Sequence, residues 1–137
     1  MLWDEGADGI AALQLFRGHF PIYFPEFGGF EPLFLYTQAL ALKLFGWSVF
    51  SFRVPAVWYG TLAVAATFLV TRKLFGWRVA WIGTFIAASG FWLVSLSRIS
   101  HRGMALALMA ALTMYWLVRW LRSEQPWLSA SMCGLFL

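Results

Sequence analysis

The sequence predicts an all-α protein of polytopic membrane helices, preceded by a juxtamembrane helical loop. Three observations carry that prediction. Of 137 residues, 61% are hydrophobic and 12% charged, and the mean hydropathy is +0.72, which leaves too few polar side chains to solvate a globule. Residues 54–71 and 79–97 carry no charge. At about 1.5 Å of rise per residue each stretch reaches about 27 Å, close to the thickness of a bilayer's hydrocarbon layer. Five of the six acidic residues lie within the first 31, ahead of both stretches.

The formal net charge of +4 is spread between the apolar stretches and forms no stripe, so it is topology information. The partner it implies is the bilayer, and nucleic acid is excluded. Cys133 stands alone in an apolar run, which permits neither a disulfide framework nor a metal cluster. Met1-Leu2-Trp3 leads at once into Asp4 and Glu5, with no basic region and apolar core of a cleavable signal. The final apolar run, residues 127–137, is too short to span. The chain is therefore expected to be a fragment, cut at both ends.

Residues 1–50 are expected to form a first loop with two juxtamembrane helices, and residues 51–137 a transmembrane region. In the loop, residues 8–17 read as a short helix capped by Asp8, with Ile10, Leu13 and Phe16 at helical spacing. Gly18 ends it, and residues 19–30 carry Pro21, Pro25, Gly28 and Gly29 among aromatics, as an ordered loop at a headgroup surface would. A second helix begins at Pro32, whose fixed φ suits a first turn, and stops at Phe45 before Gly46. It is too short to span easily, so an interfacial or re-entrant position is expected. Three spans follow, over residues 51–71, 79–97 and 104–121, with a fourth starting near Pro126.

The link from Arg72 to Arg78 holds three cations and no acid, and Arg119 with Arg122 flanks the far end of the next hairpin. The positive-inside rule puts both in the cytoplasm. By alternation the acidic N-terminal segment and residues 97–103 share the extracytoplasmic side. Lys-Leu-Phe-Gly-Trp occurs at 43–47 and again at 73–77. A lysine in the last turn, a glycine beyond it and an interfacial tryptophan are one way to end an apolar helix, so the repeat is read as two such endings and not as a duplicated unit.

Chemistry concentrates in two places. Asp4 and Glu5 form a tandem pair at a membrane boundary, which repels itself unless a cation or a substrate hydroxyl engages it; Asp8, Glu26 and Glu31 follow. Capping and loop solvation account for Asp8 and Glu26. The second place is Ser97-Arg98-Ile99-Ser100-His101-Arg102-Gly103. Two arginines and a histidine on the outer face run against the positive-inside trend, and an anionic partner would compensate them. Arginine takes phosphate oxygens in bidentate fashion, although an arginine at this depth also snorkels to headgroups. Neither His101 nor His19 has metal-site spacing.

Asp-Glu, a short helix ending Arg-Gly, Pro-Leu-Phe-Leu-Tyr, Lys-Leu-Phe-Gly-Trp-Ser, Phe-Arg-Val-Pro, Thr-Arg-Lys-Leu-Phe-Gly-Trp-Arg and Leu-Ser-Arg follow one another from residue 3 to about residue 122. This ordered set resembles the N-terminal part of the GT-C class of integral-membrane glycosyltransferases. Its nearest likeness is the protein mannosyltransferase, aminoarabinose transferase and RgtA/B/C/D-like group. The resemblance implies a partial GT-C-like fold in a multi-pass protein of the bacterial inner membrane, with an extracytoplasmic active site on the first loop. It implies transfer of a sugar from a polyprenyl-phosphate-linked donor to an acceptor hydroxyl of unspecified identity, with inversion. Asp4 matches the family's catalytic acid and Glu5 its acidic neighbour, while Arg98 falls on the arginine near the donor phosphate. Arg102, His101 and Glu31 are the further substrate-binding candidates. No cofactor is implied, and a divalent metal is left open. Two departures stand out: Glu31-Pro32-Leu33 where the family often has lysine or histidine and two prolines, and His101-Arg102-Gly103 where it often has an aspartate.

The rival reading is a non-catalytic membrane component, such as a transporter fragment or a lipid-phosphate-binding module. Topology separates the two, because catalysis needs residues 4–5 and 98–102 on one side. A partial reading frame of an enzyme, inactive alone, is the third.

Overall fold

Small residues on one long helix organise the chain. The structure, a computed structural model, describes residues 3–16, 32–98, 103–122 and 126–135. Helix α3 (Val49–Phe75) is the axis: Ser48 caps it, its Oγ accepting from the Ser51 N–H at 3.1 Å. Its 27 residues extend about 40 Å, more than a hydrocarbon layer needs, so one or both ends stand clear of it. Helix α3 stops at Gly76, where φ is +87° and the N–H donates to the Arg72 carbonyl at 3.1 Å. Helix α2 (Pro32–Phe45) has the expected limits and stops at Gly46, with φ of +80°. Both copies of Lys-Leu-Phe-Gly-Trp therefore mark a helix end with a glycine in a conformation other residues resist.

Two expectations need correction. Helix α1 runs over Trp3–Phe16, so it starts five residues earlier than expected, and Asp8 is an interior residue only 3% exposed. The buried face is Asp8, Ala11, Ala12 and Leu15, while Ile10 is 53% exposed. In a lipid setting close packing favours small residues and leaves large apolar ones outside, which reverses the face that hydrophobic periodicity selects. The second correction concerns residues 79–97, which form two helices: α4 (Trp77–Ser89) and α5 (Phe91–Arg98), bent by 51° at Gly90. The Ser89 hydroxyl donates to the Phe85 carbonyl at 2.8 Å, and the Gly90 N–H turns back to the Ala87 carbonyl at 3.2 Å. A Ser-Gly pair that diverts these bonds is a usual cause of a sharp kink.

Helix α6 (Gly103–Arg122) and helix α7 (Pro126–Leu135) follow, and the Cys133 thiol donates to the Thr113 carbonyl at 3.8 Å, tying the two together. Among the described residues α3 and α6 are each long and apolar enough to cross a membrane, and α4 with α5 makes a third if counted as one bent span. Ala56, Gly60, Ala63 and Ala66 are the buried stripe of α3. Ala63 and Ala66 meet Leu108 of α6, and a Cβ on Gly60 would lie 3.0 Å from both the Met104 Cε and the Ser97 Cβ. Trp58, 68% exposed, faces outward from the same helix.

At the far end of α3, Phe68, Trp77 and Trp81 stack edge to face at 5.4 to 5.6 Å. The Arg72 guanidinium lies 5.1 Å from the Trp77 ring, Arg119 lies 5.1 Å from Trp116, and Arg122 donates to the Lys73 carbonyl. The cations of the Arg72 to Arg78 link and of the end of α6 thus gather at one end of the helices.

Candidate functional site

Of the candidate residues, Asp4, Glu5 and Arg98 fall on described helices. Asp4 and Glu5 fall in the first turn of α1, where the helix dipole favours carboxylates; their side chains lie outside the described residues. Glu31, His101 and Arg102 also lie outside them. Arg98 is the last residue of α5 and is exposed.

Packing fixes how these segments relate. Helix α1 lies on α2 through Ala11, Leu15 and Leu35, and it reaches α3 through a cluster of Ala12, Leu42 and Phe52. Phe34, in the first turn of α2, packs against Ala56 of α3 and Ala105 of α6, and its ring lies 5.9 Å from that of Tyr59. The starts of α2 and α6 therefore share one buried cluster on α3. Gly60 admits Ser97 and Met104 against α3, so the end of α5 is held at the same level. Helices α1 and α2 and the end of α5 thus all pack on the first half of α3.

Where α1, α2 and α3 meet, the buried surface is unexpectedly polar. Asp8, Gln38 and Ser51 are the buried polar residues among those described. Each is placed beside a member of the Ala12, Leu42 and Phe52 cluster, one helical turn away or adjacent in sequence. Gln38 is wholly buried, and its Nε2 donates weakly to the Phe52 carbonyl at 3.5 Å. Buried polar groups of this kind require partners, so the junction is specified by more than apolar contact. Arg53, half-buried in the second turn of α3, lies within Phe-Arg-Val-Pro but is given no role by the sequence. It stands three residues before Ala56 and seven before Gly60, on the side that α5 and α6 approach. Its signal was an arginine placed just ahead of a long charge-free stretch.

An all-α protein with helices long and apolar enough to cross a membrane fits the GT-C class of membrane glycosyltransferases. The sequence model of a family described as dolichyl-phosphate-mannose-protein mannosyltransferase matches residues 29–136, and the chain belongs to that family. The match begins beyond α1 and so does not cover Asp4 and Glu5. No curated protein and no solved structure matches the chain.

Proposed function

We propose that the protein transfers a sugar from a polyprenyl-phosphate-linked donor to an acceptor hydroxyl on the extracytoplasmic face of a bacterial inner membrane, with inversion of the anomeric carbon. The observation that supports this reading is the buried cluster of Phe34, Ala56 and Ala105, which sets the starts of α2 and α6 beside α3. The family match supports the lipid-linked donor, since dolichyl phosphate is a polyprenyl-type lipid phosphate.

In this mechanism the acceptor hydroxyl attacks the anomeric carbon while Asp4 takes its proton. The bond to the lipid phosphate breaks as the new glycosidic bond forms. Arg98, together with Arg102, stabilises the negative charge of the departing lipid phosphate, and Glu5 helps to orient the acceptor. The transition state has oxocarbenium character, the setting in which glycosidases also use carboxylates.

The test is transfer from a polyprenyl-phosphate sugar in membranes of cells carrying Asp4→Asn at the chromosomal locus. Loss of a general base lowers transfer by about 10²- to 10⁴-fold. Wild-type transfer by this variant would remove Asp4 from the chemistry.

A further inference from the structure

Helices α3 and α6 run side by side in the same direction, since Ala56 shares a cluster with Ala105, Ala63 and Ala66 share one with Leu108, and the Lys73 carbonyl accepts from Arg122. Their last turns therefore lie together. They bring Arg72 and Lys73 beside Arg119 and Arg122, with Arg78 in the first turn of α4. All five cations are exposed. No acid occurs between residues 32 and 123, and the acid nearest them in sequence is Glu124. Helix dipoles do not correct this imbalance. The ends of α3 and α6 present about half a negative charge each, but the starts of α4 and α7, directly after them, present about half a positive charge each. Exposed apolar side chains stand among the cations: Phe75, Trp77, Trp120 and Leu121. A ligand that suits both has an anionic head and a hydrocarbon body. Two of the arginines are already ordered for such a head, because Arg72 rests over Trp77 and Arg119 over Trp116, each at 5.1 Å. A guanidinium held on a ring keeps N–H groups to offer phosphate oxygens.

We propose that the joined ends of α3 and α6 bind the phosphate of an anionic membrane phospholipid, whose acyl chains lie along the exposed apolar side chains beside them. The site is separate from the proposed transfer chemistry and uses none of Asp4, Glu5 and Arg98. The repeated pentapeptide supplies an internal contrast. Lys43-Leu-Phe-Gly-Trp47 ends α2 with the same residues and a glycine of positive φ, but Lys43 is the one cation of that last turn. Lys73-Leu-Phe-Gly-Trp77 has four further cations around it, two of them delivered by α6. The motif alone ends a helix; the meeting of two helix ends makes the site.

Native mass spectrometry of the whole protein in detergent, titrated with dioleoyl phosphatidylglycerol, tests this. One such lipid should bind about tenfold more tightly than dioleoyl phosphatidylcholine, whose headgroup has no net charge. Arg72→Gln combined with Arg119→Gln removes two charges and leaves the Arg122 bond to Lys73 in place. A basic side chain near an anionic headgroup counts for about fivefold, so this double variant should lose about 25-fold in affinity. Lys73→Gln combined with Arg78→Gln should lose a similar factor. It keeps both arginine–tryptophan contacts and serves if the first variant does not accumulate. Lys43→Gln should bind as wild type does. Equal affinity for the two lipids overturns the proposal, as does unchanged affinity in both double variants. A loss per charge in Lys43→Gln as large as theirs would show a response to net charge alone and would overturn it too. Glycerophosphoglycerol, the same headgroup without chains, should bind far more weakly; binding at the lipid's own affinity would make the ligand a water-soluble phosphate diester and remove the membrane lipid.

Discussion

At the scale of single residues, Asp8 shows what the structure adds. As an N-cap its loss would cost about 1 kcal/mol, but a carboxylate 3% exposed between three helices has been taken from water and must be compensated there. Asp8→Ala is therefore expected to lower the thermal stability of the membrane-embedded protein by about 1–3 kcal/mol, because it strands the groups that face the carboxylate. Asp4→Asn should leave stability unchanged while removing transfer. Thermal unfolding of the two variants checks this, and equal melting would return Asp8 to the role of an exposed cap. The arginines divide in a similar way. Arg98→Lys keeps the charge but loses the planar fork that takes two phosphate oxygens, so donor affinity should fall. Arg102→Ala should weaken donor binding less than Arg98→Ala if Arg102 snorkels, and comparably if both grip the phosphate. Titration of donor lipid with the three variants decides between these outcomes, and unchanged affinity in all of them would make the turn a membrane anchor.

At the scale of elements, the sequence was most legible where one residue has one physical use. Pro32 opens α2, Gly46 and Gly76 end α2 and α3 at positive φ, and Pro126 opens α7, each where its chemistry places it. Legibility failed where tertiary packing chose between local options. No feature of residues 79–97 distinguishes a straight span from one bent at Gly90, since glycine is common in membrane helices that do not bend. For α1, periodicity favoured Ile10 and Leu13 as the buried face, and packing chose the small residues instead. Glycine contacts give the corresponding prediction. Gly60→Ala must push back the Ser97 Cβ and the Met104 Cε, each 3.0 Å from the new atom, whereas Gly83→Ala meets the Thr71 Cγ2 at an ordinary 3.5 Å. Melting should therefore fall for Gly60→Ala, by about 1–3 kcal/mol as overpacking usually costs, and stay near wild type for Gly83→Ala. Ser97→Gly added to Gly60→Ala should restore part of the loss. The reverse ranking would mean that α5 does not rest on Gly60.

At the scale of the whole molecule, charge and packing are independent observations that agree. The positive-inside rule uses only the Arg72 to Arg78 link and the pair Arg119 and Arg122, and it assigns them to one side. Packing uses only contacts, and it brings the ends of α3 and α6 together through the Arg122 bond to Lys73, with α1 and α2 packed on the other half of α3 through Ala12, Phe34 and Phe52. What the sequence could not supply was the second relation, because helix-to-helix contacts such as Phe34 with Ala105 depend on small residues about fifty positions apart. The expected topology is that Arg72 to Arg78 faces the cytoplasm while positions 4 and 100 face outward. Single cysteines at 4, 75 and 100, introduced after Cys133 is replaced, can be labelled on intact cells with a membrane-impermeant thiol reagent. Positions 4 and 100 should react from outside, and position 75 only after the membrane is opened. A carboxylate and a phosphate-binding arginine act on one sugar only if they share a compartment, so labelling of positions 4 and 100 from opposite sides would end the transferase mechanism proposed for Asp4 and Arg98. The phosphate-binding role of Arg98 would survive that result alone.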